Sequence, residues 1–117
     1  MRPTDGRPDR IDACYVCVHV WCGSEGSKAM RDTLRERLAA ASSSVEVREV
    51  SCFGACHKAP NLLVYPQGTW YQLVKPEDLD DIFAHIQGAE PPTRLTDRVD
   101  PELHQIVLDC FDAFVAR

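Results

Sequence analysis

Residues 51–60 read Ser-Cys-Phe-Gly-Ala-Cys-His-Lys-Ala-Pro and place two cysteines, Cys52 and Cys56, on either side of a glycine. Apolar runs that predict β-strands lie immediately before and after this stretch. Because Gly54 has no Cβ, the chain between the two cysteines can turn tightly and adopt a positive φ without strain. Two thiols at the end of a strand can therefore face one metal centre, and such a centre needs two more ligands.

Composition limits the classes of protein to consider. The chain has 117 residues, of which 44% are hydrophobic and 26% charged, as expected for a single globular domain. A net charge of -5 argues against binding to nucleic acid, which requires a basic surface. The apolar runs are too short to span a membrane and the N-terminus is too polar for a signal peptide, so a cytoplasmic protein is predicted. Six cysteines in such a compartment favour metal binding or redox chemistry.

The first half of the chain predicts a strand, a helix and a second strand. Alternating apolar residues over 11–20 indicate the first strand. Ser24 or Ser27 can cap a helix that runs to about residue 41. Its inward stripe is Met30, Leu34 and Leu38. Residues 45–50 form the second strand, and this order predicts a right-handed parallel crossover.

The second half predicts a hairpin followed by a helix. Residues 62–65 and 69–74 read as antiparallel strands joined by a Pro-Gln-Gly turn. Pro76 begins a helix that ends at Gly88. The order βαβ-ββα is thioredoxin-like, an α/β fold with a four-stranded mixed sheet and helices on its faces.

The predicted organisation has four parts: a flexible tail (1–10), the thioredoxin-like domain (11–88), an extended connector (89–99) and a C-terminal amphipathic helix (100–117). Pro91 and Pro92 make the connector extended, and Asp100 caps the last helix. The helix has an apolar stripe comprising Leu103, Ile106, Val107, Cys110, Phe111 and Phe114. So large an apolar surface needs to be covered. One alternative is that the helix packs on its own domain; the other is that it packs on a second copy or a partner, which the stiff connector favours.

Four cysteines are predicted to converge at one edge of the sheet. Cys17 lies near the end of the first strand, Cys22 at the entrance to the first helix, and Cys52 and Cys56 after the second strand. In a βαβ unit these positions share one edge. Four thiolates there suit a [2Fe-2S] cluster, and they suit a structural zinc ion equally well.

The same residues resemble the thioredoxin-like [2Fe-2S] ferredoxins and the related small iron-sulfur subunit of NADH dehydrogenase (complex I). The resemblance rests on Cys17-x4-Cys22 and Cys52-x3-Cys56, on Tyr-Val-Cys-Val at the first ligand, and on the hairpin sequence at 59–71. It implies one [2Fe-2S] cluster on those four cysteines, electron transfer to a redox partner protein, and often a homodimer. The x4 gap is similar to the complex I subunit, so both a free carrier and a subunit of a redox complex are open.

The remaining cysteines and histidines have less specific interpretations. Cys14 and Cys17 face opposite sides of a strand, beyond disulfide reach, which disfavours a thiol oxidoreductase. Cys14 and Cys110 are predicted to be small core residues. His57, next to Cys56, is predicted to lie beside the cluster or at the surface. The leading hypothesis is an electron carrier, not an enzyme, and the alternative is a zinc-stabilised interaction module.

Overall fold

The structure is a computed structural model that describes residues 4, 6–17, 26–50 and 61–115. A short 3-10 helix (Pro76–Asp78) leads directly into the second α-helix. The strands and α-helices, in chain order, are β1 (Ile11–Cys17), α1 (Ser27–Ala40), β2 (Glu46–Val50), β3 (Leu62–Pro66), β4 (Trp70–Tyr71), α2 (Leu79–Ile86), α3 (Thr93–Thr96) and α4 (Pro101–Val115).

The four strands form one mixed sheet in the order β2-β1-β3-β4. β1 and β2 are parallel, whereas β3 is antiparallel to both β1 and β4. This arrangement confirms the predicted fold class. β4 is shorter than the predicted strand over 69–74, because Leu73 has a φ of 53° and leaves the extended conformation.

β1 is one of the two interior strands of the sheet and is buried on both faces. Five consecutive residues, from Ala13 to Cys17, are at most 2% exposed. Cys14 packs in a core cluster with Leu34 of α1, and Cys17 belongs to a second cluster with Leu108 of α4. The prediction that Cys14 and Cys17 face opposite sides of the strand is therefore confirmed, and the sheet lies between two helical layers.

Helix α1 packs as predicted but begins differently. Met30, Leu34 and Leu38 are at most 5% exposed. The residue before the helix is Gly26, with a φ of 95°, and no side chain caps the helix. The prediction of a Ser27 cap is wrong, because the left-handed glycine makes the entry turn and Ser27 is already helical. Ser24, the other proposed cap, lies outside the described residues.

The predicted extended connector over 89–99 is wrong in its second half. Thr93–Thr96 forms one helical turn, α3, which Pro92 precedes with an extended ψ of 116°. A proline is compatible with this position because N–H groups at the start of a helix have no partner within the helix, so the missing N–H of proline costs no hydrogen bond. Leu95 is fully buried in the cluster beneath α1 and α2. The segment is thus fixed to the domain and does not carry α4 outward.

Helix α4 packs on its own domain. Asp100 caps it by accepting a hydrogen bond from the Glu102 N–H at 2.9 Å, as predicted. The predicted apolar stripe is only partly correct, because Ile106 and Phe114 are 59% and 57% exposed. The residues that it buries are His104, Val107, Leu108 and Phe111. The contact face is therefore rotated towards Leu108, and packing on the domain replaces the outward excursion.

An ion pair joins the N-terminal segment to α4. Arg7 donates two hydrogen bonds to the Asp112 carboxylate, at 3.0 and 2.9 Å, and one from Nε to the Pro66 oxygen at 2.9 Å. The Tyr65 hydroxyl donates to Asp112 Oδ1 at 2.7 Å. The hydrogen bonds from Arg7 hold the pKa of Asp112 below its ordinary value against the opposing effect of burial. The prediction of a loose tail over 1–10 is therefore wrong at Arg7.

A buried histidine predicts an acid-sensitive fold. His85 is 4% exposed, its Nδ1 lies 2.6 Å from the Tyr71 hydroxyl, and burial lowers its pKa to about 4. The unfolded chain, in which the pKa is about 6.5, takes up a proton more readily than the folded protein. The stabilisation by neutral His85 is therefore complete above about pH 6.5 and is lost as the pH falls towards 4. We expect His85 to cost about 2 kcal/mol of unfolding free energy between pH 7.5 and pH 5.

Urea unfolding at the two pH values measures this effect. The matched control is His85→Gln, which has no charge to gain over the same range. An equal loss of stability in both proteins would show that His85 is not the acid-sensitive group.

Candidate metal centre

Three strand ends meet at one edge of the sheet. Cys17, the last residue of β1, pairs in parallel register with Val50, the last residue of β2. Leu62, the first residue of β3, pairs with Val16. The chain therefore leaves the sheet twice and re-enters it once at the same edge.

The start of α1 belongs to this edge as well. Arg31, near the start of the helix, bonds Glu49 of β2 at 2.6 Å. Arg35, one turn later, donates to the Val47 oxygen at 3.2 Å. These contacts show that α1 runs antiparallel to β2, so its N-terminus points to the edge where β2 ends.

Of the four predicted ligands, the structure describes Cys17, which is fully buried at this edge. Cys22, Cys52 and Cys56 lie outside the described residues, as do His57 and Trp21. The two segments that carry these cysteines, 18–25 and 51–60, both start and end at the edge defined above. Within the described ranges, no group of three or more His, Cys, Asp or Glu residues is arranged to hold a metal ion.

Two buried side chains that the sequence analysis did not select as site residues lie beside Cys17. The Cys17 N–H donates to the Asn61 oxygen at 3.4 Å, and the Trp70 indole N–H donates to Asn61 Oδ1 at 3.2 Å. Asn61 is completely buried and Trp70 is 1% exposed. The sequence held a signal for Asn61, which is a polar residue directly before the apolar strand β3. Such a residue, once buried, needs a hydrogen-bond partner.

The other two cysteines have different environments from Cys17. Cys14 is fully buried on the opposite face, and burial raises its pKa to about 12, so it remains a protonated thiol. This confirms its prediction as a core residue. Cys110 is exposed on α4, and its prediction as a core residue is wrong because the buried face of α4 is centred on Leu108.

The two described histidines serve the fold through hydrogen bonds. His85 bonds Tyr71, as described above, and His104 Nε2 lies 2.6 Å from the Gly68 oxygen. A carbonyl oxygen only accepts, so His104 Nε2 carries a proton and donates it. Burial lowers the pKa of His104, and nearby Arg7 adds to this, which favours the neutral ring.

The donor set fits an iron-sulfur centre. Cysteine thiolates are the usual ligands of [2Fe-2S] clusters, which are held by four of them. Cys17 is fully buried at the edge where the segments that carry three further cysteines begin and end. The fold places the molecule in the class of thioredoxin-like α/β proteins, with a mixed four-stranded sheet between helices.

Comparison with known proteins identifies the family. Residues 7–87 match the thioredoxin-like [2Fe-2S] ferredoxins, and the chain belongs to this family. A "Ferredoxin, 2Fe-2S" from Aquifex aeolicus (strain VF5) is 35% identical over 78 residues, which cover 63% of this chain and 70% of that protein. A "Ferredoxin, 2Fe-2S" from Clostridium pasteurianum is 37% identical over 78 residues, covering 64% and 76%. The cofactor of the protein is therefore a [2Fe-2S] cluster and its function is electron transfer.

Solved structures support the same conclusion. The crystal structure of the wild-type thioredoxin-like [2Fe-2S] ferredoxin from Aquifex aeolicus aligns with a TM-score of 0.63 and 32% identity, covering 71% of this chain and 92% of that one. An NAD+-reducing [NiFe]-hydrogenase aligns with a TM-score of 0.60 at 21% identity over 16% of its chain, which shows a shared fold alone. Helices α3 and α4 lie beyond the residues that match the family.

Proposed function

We propose that Cys17, Cys22, Cys52 and Cys56 hold the [2Fe-2S] cluster. The observation that carries this assignment is the register of β1 and β2, which pairs Cys17 with Val50 where both strands end. Cys17 is also fully buried there, which suits a ligand shielded from water. Cys14, on the same strand, faces the opposite helical layer, away from this edge, so it is left out of the proposed ligand set.

Chain connectivity supports the second pair of ligands. Cys52 follows Val50 by two residues, a separation of at most about 7 Å. Adjacent strands lie about 4.8 Å apart, so Cys52 Cα falls within about 12 Å of Cys17 Cα. Cys22 is five residues from Cys17, and Cys56 is five residues from Asn61 at the same edge. All four thiols can therefore reach one centre.

The protein's own residues have a simple role in electron transfer. The cluster, when bound, gains or loses a single electron. Asn61 and Trp70 form a buried wall beside Cys17, and the two helical layers exclude water from the sheet. This transfer needs no acid, base or nucleophile in the chain, which supports a carrier rather than an enzyme.

The proposed working context is a complex with a redox partner protein. The x4 spacing between Cys17 and Cys22 is compatible with a free carrier and with a subunit of a larger redox complex. Cytoplasmic location and a homodimer also belong to this proposal, the former supported by cysteine use suited to metal binding. In the described part of the chain, no helix has the length and apolar character to cross a membrane.

Metal content tests the proposed cofactor directly. The protein purified without oxygen is expected to be red-brown and to contain about two iron and two sulfide per chain. Dithionite titration followed by visible absorbance and EPR should consume about one electron per chain. Stoichiometric zinc without visible absorbance would instead support the structural zinc module.

A further inference from the structure

The buried cluster that contains Cys17 also contains residues of α4. Cys17 and Tyr15 project from β1 into the layer that holds Val107 and Leu108. The Phe111 ring packs against the Tyr15 ring at an interplanar angle of 58°, with a ring-centroid distance of 4.9 Å. The helix therefore covers the face of the sheet from which the Cys17 side chain projects.

A chain of contacts connects α4 to the Cys17 backbone. His104 of α4 contacts the edge of the Trp70 ring at a centroid distance of 6.0 Å. The Trp70 indole N–H donates a hydrogen bond to Asn61 Oδ1. The backbone carbonyl of Asn61 accepts a second hydrogen bond, from the Cys17 N–H. Every member of this chain is at most 8% exposed. A change in the seating of α4 is thus transmitted to Asn61 and Cys17 through packed groups.

Two polar contacts fasten α4 to the rest of the domain. His104 donates to the Gly68 oxygen in the turn between β3 and β4, and Asp112, about two turns further along the helix, pairs with Arg7 of the N-terminal segment. Gly68 allows this close approach, because a Cβ there would lie 2.8 Å from Arg7 Nε. Since α4 lies beyond the part of the chain that matches the family, this cover is an addition to the ferredoxin domain.

We propose that α4 tunes the redox centre by keeping water away from Cys17. The inference rests on the proposed function, in which Cys17 is a ligand. Reduction adds negative charge to a thiolate-ligated centre, and water stabilises that charge better than an apolar layer does. The Arg7–Asp112 ion pair, by holding α4 closed, therefore keeps the reduction potential low.

The test compares two substitutions on the same helix. Asp112→Asn weakens the bond to Arg7, whereas Asp109→Asn removes the same charge from an exposed residue that accepts a hydrogen bond from Gln105 on its own helix. Loss of a negative charge alone raises the potential in both variants. We expect Asp112→Asn to raise it further, and a tenfold change in the reduction equilibrium corresponds to about 59 mV.

Two further measurements separate tuning from simple destabilisation. Hydrogen exchange of the β1 peptide, whose last amide bonds Asn61, should accelerate roughly tenfold in Asp112→Asn and stay unchanged in Asp109→Asn. Trp70→Phe keeps an aromatic ring but removes the N–H that Asn61 accepts. It should raise the potential while Asp112 and Arg7 remain in place.

Three outcomes decide the proposal. Equal potentials in Asp112→Asn and Asp109→Asn would overturn the tuning role of α4 and leave the ligand assignment intact. A Trp70→Phe variant with the wild-type potential would overturn the route through Asn61. If Cys17→Ser kept the wild-type cluster spectrum, the ligand assignment itself would fail.

Discussion

Replacing Cys17 with serine is expected to remove most of the bound iron and the visible absorbance of the purified protein. Serine offers an alcohol oxygen in place of a soft thiolate, which weakens iron binding at a fully buried position. Mutating a residue that only hydrogen-bonds to a metal ligand already lowers metal affinity roughly 10- to 100-fold. Loss of the ligand itself should therefore lower it at least as much. Iron and sulfide assays of the anaerobically purified variant measure the effect.

The matched control is Cys14→Ser on the same strand. Both sulfur-bearing side chains are fully buried, but Cys14 packs against Leu34 on the opposite face of the sheet. Cys14→Ser should lower stability and leave the cluster spectrum nearly unchanged. The same substitutions at Cys22, Cys52 and Cys56 should behave like Cys17→Ser. Equal damage to the spectrum by Cys14→Ser would mean that the four ligands are assigned wrongly.

Features that depend on local periodicity could be predicted from the sequence. The apolar spacing of Met30, Leu34 and Leu38 fixes the inward face of α1, and the structure buries all three. The strand, helix, strand order predicts that β1 and β2 lie parallel, and their register places Cys17 beside Val50. The edge of the sheet where the proposed ligands lie therefore follows from short-range patterns together with one rule of topology.

Features that depend on distant contacts could not be predicted in this way. Arg7 and Asp112 are 105 positions apart, and no local pattern links a charged N-terminal residue to a carboxylate on the last helix. Leu95 is buried in the core beneath α1 and α2, although two prolines come just before its helix and predict an extended segment. Tertiary packing decided both outcomes.

The rotation of α4 has the same cause. Its sequence presents apolar residues on more than one side, so periodicity alone permits both Ile106 and Leu108 as the centre of the contact face. The Gly68 turn resolves the choice, because His104 bonds its carbonyl oxygen. Leu108 is then fully buried and Ile106 is left 59% exposed.

Phe111→Ala is expected to destabilise the whole domain, because this side chain joins α4 to the interior strand β1. Phe111 is 8% exposed and its ring packs against that of Tyr15 of β1, so truncation leaves a cavity between helix and sheet. Truncation of a buried phenylalanine to alanine costs about 3 kcal/mol or more. Urea unfolding of the purified protein at neutral pH should show this loss as a lower midpoint with little change in slope.

The control for this prediction is Ile106→Ala on the same helix. Ile106 is 59% exposed, and a surface substitution of this kind changes stability by at most about 0.5 kcal/mol. The difference between the two variants thus measures packing of α4 on the domain rather than helix propensity. Near-equal unfolding free energies for Phe111→Ala and Ile106→Ala would mean that α4 does not cover the sheet in solution. In that case Tyr15, Leu63 and Trp70 on β1, β3 and β4 would need another cover, such as a second copy of the chain.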